Sequence, residues 1–436
     1  MELGIGFIIL IGCVILGVPV VYAFGAATIW FTVSLGYDPA FLLPTAYSKL
    51  NGVVLLAIPL FILVGGIMEK GMIGSALVDW VEKFVGRIRG SLCIVATVTC
   101  AIFGSICGSG AATLSCVGSI LAPKMHEKKY NMGIAAAVLC CAAPLGMLIP
   151  PSSIQILYAW SGQLSVLACF LSTVVPGLIL TALISIVGYV LSKTNKDIIL
   201  AESVSPEVWM KETGKSTVRA LPALFMPIIV LGGIYGGFMT PSEAAAVAIV
   251  YALPVSIYIY KGMRWRDLKE NFISSATTTG VIMVMLAIIM VMSRILVMED
   301  LPGIVLDLLL SVSENKYVIL IMINLFLVLI GMLMDDVSGT LLCTPILIPI
   351  AMELGISPYQ MAAILGVNLG MGNITPPTAP FLYLGARICR VSARDMMKPC
   401  MAIIVFAYIP TLLLTTYIPQ ISLWLPELIM QQSFGI

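Results

Sequence analysis

Gly331-Met332-Leu333-Met334-Asp335-Asp336-Val337-Ser338-Gly339-Thr340, followed by Ile374-Thr375-Pro376-Pro377-Thr378, interrupts an otherwise apolar half-chain. The other half carries Gly104-Ser105-Ile106-Cys107-Gly108-Ser109-Gly110 and then Ile149-Pro150-Pro151-Ser152. Each pair reads as a hairpin tip followed by a helix break. A Pro-Pro pair removes backbone donors and clashes with the preceding turn, so it ends a helix and frees carbonyls. Polar backbone at membrane depth is tolerated only where it is buried in protein or lines a water-filled site. Two such pairs in corresponding positions point to the binding site of a secondary transporter.

Composition supports the membrane reading. Of 436 residues, 60% are hydrophobic and 10% charged, with a mean hydropathy of +1.08. Soluble domains carry about 25% charged residues. The apolar runs suit helices crossing a bilayer, and no alternating strands of an outer-membrane barrel are seen. A net charge of +1 gives no basic field for nucleic acid. The eleven cysteines fall in apolar stretches without metal-cage spacing and read as small hydrophobes. The single histidine, His126, sits in a charged loop and reads as solvated. The N-terminus has no basic region before its apolar run, so 3–24 reads as a retained membrane segment and not a cleaved signal.

The expected fold is an all-α polytopic membrane protein, one membrane domain over 1–436, built from two inverted repeats. The first repeat covers 50–192, with a re-entrant hairpin at 91–124 and a broken helix at 146–152. The second covers 272–390, with a hairpin at 317–353 and a break at 370–380. Short matches recur at a near-constant offset: Met68-Glu69 as Met298-Glu299, Ser109-Gly110 as Ser338-Gly339, and Pro150-Pro151 as Pro376-Pro377. The first hairpin base carries Arg87, Arg89, Lys124, Lys128 and Lys129, whereas the second has Glu314, Lys316 and Glu353. Cytoplasmic loops are enriched in Lys and Arg, so the first base is expected inside and the second outside. The loop 193–219 and the basic stretch Lys261 to Arg266 are expected inside as well. Segments 72–89 and 300–312 are amphipathic and read as interfacial arms.

Asp335 and Asp336 follow directly on an apolar run. A carboxylate at the centre of a membrane helix costs about 2.5–3.5 kcal/mol on insertion scales, so such a residue is a functional candidate. Sodium takes several oxygen ligands, and unwound carbonyls with half-helix ends supply them. One ion site is expected from Ser105, Ser109 and the carbonyls near Gly146 and Ile149. A second is expected from Asp335, Thr340, Gly372 and Thr375. For each hydroxyl the alternative is close helix packing through small residues. Arg294 can meet an anion or snorkel to an interface. Thr240-Pro241-Ser242-Glu243 reads as a helix start with a capping box. An intramembrane protease fits poorly, because the sole histidine, His126, sits in a charged loop and no second helix centre carries an acid to pair with Asp335 or Asp336. A passive channel has no need of paired helix breaks.

Taken together, Leu56-Ala57-Ile58-Pro59-Leu60-Phe61, Ile149-Pro150-Pro151-Ser152, Thr240-Pro241-Ser242-Glu243-Ala244-Ala245-Ala246, Gly331-Met332-Leu333-Met334-Asp335, Leu342-Cys343-Thr344-Pro345-Ile346-Leu347-Ile348-Pro349 and Thr375-Pro376-Pro377 resemble the large membrane subunit, DctM- or SiaM-like, of tripartite ATP-independent periplasmic (TRAP) transporters. The resemblance runs over nearly the whole chain. It implies an elevator-type, sodium-driven importer of organic anions such as sialic acids or C4-dicarboxylates, in the bacterial inner membrane. It implies two partners, a periplasmic solute-binding protein and a small four-helix membrane subunit, the latter expected here as a separate chain. A stand-alone ion-coupled anion transporter of similar design is the alternative. The chain departs from the family pattern at Cys107, Gln155, Asp336, Asn373 and Thr378-Ala379. The substrate is expected beside Ser152, Asp336, Asn373 and Thr378.

Overall fold

The structure is a computed structural model that describes residues 2–85, 88–195, 197–199, 205–376 and 379–434. Among these residues all regular secondary structure is helical. Eight helices are long and apolar enough to cross a membrane, or nine if one bent pair counts as a span.

Three helices open the chain: α1 (Glu2–Ile15), α2 (Val20–Ser34) and α3 (Pro39–Leu50). The apolar run 3–24 is therefore two helices and not one crossing. Gly17 takes a positive φ of 79° and Pro19 stands at the start of α2, so the chain turns there.

Next come α4 (Ala57–Lys70) and the amphipathic α5 (Ile73–Val85). The antiparallel pair α6 (Ser91–Cys107) and α7 (Gly110–Glu127) follows. A bent helix is formed by α8 (Met132–Ala142), α9 (Leu145–Leu148) and α10 (Ser153–Ser161). Its two halves meet at 43° across the cis Pro150-Pro151 peptide. The long α11 (Val166–Lys193) closes this half.

Two helices, α12 (Pro206–Tyr235) and α13 (Pro241–Pro254), connect the halves. Much of the expected loop 193–219 is thus helix. Ser205 caps it through the Val208 amide and Pro206 occupies the first turn, where its missing donor costs nothing. Thr240 and Glu243 form the expected capping box, with Glu243 N donating to Thr240 Oγ1 (3.3 Å) and Thr240 N to Glu243 Oε2 (2.8 Å).

The element order then recurs: α14 (Trp265–Met298), the short α15 (Leu301–Val312), and the pair α16 (Lys316–Leu333) and α17 (Asp336–Glu353). After these come α18 (Pro358–Gly372), α19 (Pro380–Cys389), α20 (Ala393–Ile403) running through a π-helical turn into α21 (Ile409–Tyr417), and finally α22 (Gln420–Met430). The second arm of this hairpin begins at Asp336, ahead of its apolar stretch. Asp335 caps it, so the polar residues 336–339 form its first turn.

Packing interlocks the halves. The C-terminal half of each broken helix lies against the hairpin of the other half, α10 on α17 and α19 on α7. At the centre, α8 and α18 are buried almost all round, from Gly133 to Ala142 and from Gln360 to Gly372. A helix that is apolar on every side belongs in a core, and the alanines and glycines of these two let neighbours approach closely. Around this core, α2 and α3 pack on α14, α4 packs on both α13 and α14, and α5 on α12. The base of the first hairpin is tied to α5 by Lys124 to Asp79 (2.7 Å), Lys124 to Glu82 (3.1 Å) and Lys128 to Glu82 (2.7 Å). Ten cysteines are buried as free thiols and Cys13 is half-buried. His126 is exposed.

Candidate functional site

Each hairpin tip meets the broken helix of its own half through paired glycines. A Cβ on Gly104 would collide with the Cα of Gly146, and a Cβ on Gly372 would collide with the backbone of Gly331. Only glycine allows these helices to cross backbone to backbone.

At the first tip, Gly108 takes a positive φ of 63° and ends α6. Its carbonyl accepts from Ser153 N (3.3 Å), which joins the tip to the break. Ser109 caps α7, its hydroxyl accepting weakly from Ala112 N (3.5 Å). The Ser109 carbonyl receives Thr113 Oγ1 (2.8 Å) and the Cys107 thiol (3.5 Å). A Cβ on Gly146 would come within 2.9 Å of that carbonyl, so Ser109 and Gly146 are neighbours. The hydroxyl of Ser105 and the side chain of Ile149 have their own contacts. Ser105 donates to Ile102 O (2.7 Å) in its own helix, and the Ile149 side chain packs over Gly177.

At the second tip, Asp335 caps α17. One carboxylate oxygen accepts from Val337 N (3.2 Å) and Ser338 N (3.4 Å), and the other from the Ser338 hydroxyl. A carboxylate oxygen has two acceptor positions, so a cation can still bind. Thr340 is fully buried and its hydroxyl has no partner among the described residues. Thr375 donates to Met371 O (2.7 Å), and Gly372 lies on Gly331. The sequence matched Ser109-Gly110 to Ser338-Gly339, but the structure pairs the caps, Ser109 with Asp335. Their spacing equals that of Pro150 and Pro376.

A cavity of about 480 Å³ joins the two tips. Cys107, Gly108 and Ser109 border it on one side, Asp336 and Val337 on another, and Ser153 of α10 lies beside them. The cavity is also lined by α4, with Glu69 and Lys70 at its end, and by α14, with Asn271, Ser274, Ser275 and Thr278. Of the expected substrate residues, Asp336 is therefore placed in the cavity. Ser152 is not: it is fully buried, its hydroxyl donates to Met147 O, and it caps α10 through Gln155 N. Its neighbour Ser153 points to the cavity instead. Asn373 is buried with its side-chain carbonyl unpartnered, while its backbone carbonyl accepts from Phe381 N (3.2 Å). Thr378 lies outside the described residues.

Sequence reasoning missed Thr113, Ser153 and the polar stripe of α14. The stripe was visible as Ser274-Ser275-Ala276-Thr277-Thr278-Thr279, a hydroxyl run inside an apolar helix. Thr113 had no such signal, because its role depends on a tip that folds back over it. Among the described residues no three of His, Cys, Asp and Glu gather into a metal cage. Apart from the Cys107 thiol, the polar groups at the tips are oxygens and amides.

Comparison with known proteins agrees with this architecture. Residues 7–421 match the family described as "Tripartite ATP-independent periplasmic transporter, DctM component". The chain is 35% identical to the C4-dicarboxylate TRAP transporter large permease protein DctM of Pseudomonas aeruginosa, over 86% of each chain. It is 30% identical to the sialic acid TRAP transporter large permease protein SiaM of Vibrio cholerae, over 88% of this chain and 89% of that one. Its fold resembles the crystal structure of the YdaH transporter of Alcanivorax borkumensis, with a TM-score of 0.63 at 15% identity over 91% and 90% of the two chains. The chain belongs to the DctM family of TRAP transporter large permeases, and is a multi-pass protein of the bacterial inner membrane and a transporter, not an enzyme.

Proposed function

We propose that this chain carries a small organic anion across the inner membrane, driven by sodium, after a periplasmic binding protein has delivered it. The observation that carries the reading is the cavity bordered by both tips, through Ser109 and Asp336, and by the polar stripe of α14. Each tip ends in a helix start, whose free amides favour anions, and in carbonyls that favour cations. Sodium is co-transported cargo in this scheme. Asp335, Thr340, Gly372 and Thr375 hold it at the second tip, and the Ser109 carbonyl with Gly146 at the first. The unpartnered buried oxygens of Thr340 and Asn373 support oxygen ligation in this half.

The hairpins and broken helices form the moving body, and α2–α4 with α12–α14 the frame, in an elevator movement. The base of the first hairpin faces the cytoplasm and that of the second the periplasm, which makes the halves inverted repeats. A separate small membrane subunit braces the frame. The substrate is a carboxylate or sugar acid, in line with the C4-dicarboxylates and sialic acid named for the two relatives.

Proteoliposomes holding this chain, the small subunit and the binding protein test the reading. Uptake of the anion is expected only with an inward sodium gradient. Equal uptake when potassium replaces sodium sinks the coupling. Full uptake by this chain alone favours the stand-alone transporter instead.

A further inference from the structure

The polar stripe of α14 is not the only place where this helix meets ionisable groups. Ser274 borders the central cavity, and Arg294 lies 20 residues further along the same helix. At 1.5 Å per residue the two are about 30 Å apart, so Arg294 belongs to the opposite end of the molecule. It does not simply face the surroundings. Arg294 lines a second cavity of about 180 Å³ with Ser293, Lys49 at the end of α3, Trp160 and Ser161 at the end of α10, and Pro345 of α17. Two cations share this pocket, and no acid lines it. Neither Lys49 nor Arg294 makes an ion pair or hydrogen bond among the described residues. The nearest acid in the chain after Arg294, Glu299, is held by the hydroxyl of Tyr37 (2.6 Å).

We propose that Lys49 and Arg294 form an anion vestibule at the end of the molecule remote from Glu69 and Lys70, taking the carboxylate of a small organic acid on its way to the hairpin tips. The inference rests on the reading that the chain moves an organic anion. The pocket lies between the two bodies of that scheme: Lys49 and Arg294 come from the frame, and Trp160, Ser161 and Pro345 from the broken helix and second hairpin. Its volume equals about six waters at ~30 Å³ each, room for a short organic acid. The planar fork of Arg294 suits a carboxylate bidentately, and Lys49 supplies a second point charge. The body of Trp160 forms a wall for the carbon chain. Two unpaired cations in a walled cleft raise the local concentration of anions.

Trp160 also reports on the pocket. The full-length chain in nanodiscs is titrated with iodide, an anionic quencher, and acrylamide, a neutral one. Subtracting a Trp160→Phe variant isolates the Trp160 signal. Relative to acrylamide, iodide is expected to quench Trp160 at least about threefold more strongly in the parent than in a K49Q/R294Q double variant. Unchanged acrylamide quenching shows that the pocket is still folded, and R294K should keep most of the excess. Millimolar succinate is expected to protect Trp160 from iodide, and neutral 1,4-butanediol is not. Equal iodide quenching in parent and double variant, or no protection by succinate, overturns the proposal. In proteoliposomes the double variant should raise the half-saturating external anion concentration. If the parent carries no organic acid at all, the proposed function fails, while the quenching result judges the anion site separately.

Discussion

At the first tip the chain turns through Gly108 in the left-handed region and enters α7 through the neutral cap Ser109. At the second it turns through Met334 in extended backbone and enters α17 through the charged cap Asp335. The backbone plan is shared, down to the glycine crossing behind each tip, but the electrostatics are not. The first tip offers dipoles alone, since Ser109, Thr113 and Cys107 are uncharged at neutral pH. The second concentrates two carboxylates, one bound up in capping and one bordering the cavity. A cation bound at the second tip meets a full charge, whereas one at the first relies on carbonyls. The tips should therefore contribute unequally to sodium dependence, and substitutions at matched positions measure by how much.

The largest difference is expected between the caps. Asp335→Asn keeps the shape and removes the charge. Hydrogen bonds to charged groups are worth about 1.5–3 kcal/mol, so the sodium concentration for half-maximal uptake should rise about tenfold to a hundredfold. Ser109→Ala removes a weak neutral cap worth about 1 kcal/mol, or about fivefold. Sodium titrations of uptake in proteoliposomes compare the two. An Asp335→Asn effect no larger than that of Ser109→Ala breaks the proposed asymmetry.

The glycine crossings come next, and here the order reverses. A Cβ on Gly104 collides with Gly146, but a Cβ on Gly331 stays 3.0 Å from the Cα of Gly372. Overpacking costs typically about 1–3 kcal/mol. Gly104→Ala should fall near the top of that range and Gly331→Ala near the bottom, read as loss of thermal stability in nanodiscs. Equal losses would mean that the two crossings are equally tight.

The hairpin bases differ as well. Glu82 joins α5 to Lys124 and Lys128 of the first base, and among the described residues the second base has no ion pair. Burial pushes the Glu82 carboxyl up, but the hydrogen bond from Lys128 and the charge of Lys124 outweigh it and hold the group below its ordinary value of 4.5. A carboxyl lowered by folding adds stability above pH 4.5, and that stability is lost as pH falls through the lowered value. Partly exposed pairs are worth about 0.2–1 kcal/mol each, so the effect is small and local. As pH falls from 7 through that lowered value, amide exchange should rise in the last turn of α7 and stay level in that of α17, after correction for intrinsic rates. Glu82→Gln should produce the α7 change already at pH 7. An unaltered α7 in that variant would remove the ion pairs from the base.

How much of this was legible in the sequence follows from where the information resides. Tips and breaks are written in backbone chemistry: α6 ends at Gly108, Asp335 caps α17 and the bent helix breaks at Pro150-Pro151, while Pro377 lies outside the described residues. Thr240 with Glu243 was found for the same reason. What was lost needs a helix to be oriented. Ser152 and Ser153 are adjacent, yet one caps α10 in the core and the other borders the cavity. On a helix one residue is a turn of about 100°, and only the packing of α10 on α17 decides which face looks inward. The polar stripe of α14 was readable as composition, but its role required α14 to line the same cavity as the tips. The second half of the stretch 193–219 is helix, its charges lying on α12 where it docks against α5 and Lys83 pairs with Glu212 (2.8 Å).

Cys107 supplies the smallest effect and the one whose sign says most. Its thiol lies 3.5 Å from the Ser109 carbonyl and 3.2 Å from Thr113 Oγ1. If the carbonyl of Ser109 is the ion ligand, the thiol is a weak competitor for it. Cys107→Ser brings a better donor, able to approach to about 2.7–2.8 Å, and should weaken sodium dependence about twofold, since its gain over the thiol lies at the low end, about 0.5 kcal/mol, of what a neutral hydrogen bond nets. Cys107→Ala removes the competitor and should leave sodium dependence unchanged or slightly tighter. If a side-chain oxygen at this position were the ligand, the signs would invert, with serine tightening and alanine weakening. Sodium titration of both variants therefore separates backbone from side-chain ligation at the first tip. Against the response of Asp335→Asn at the second, it shows whether the neutral tip binds its ion through main-chain dipoles alone.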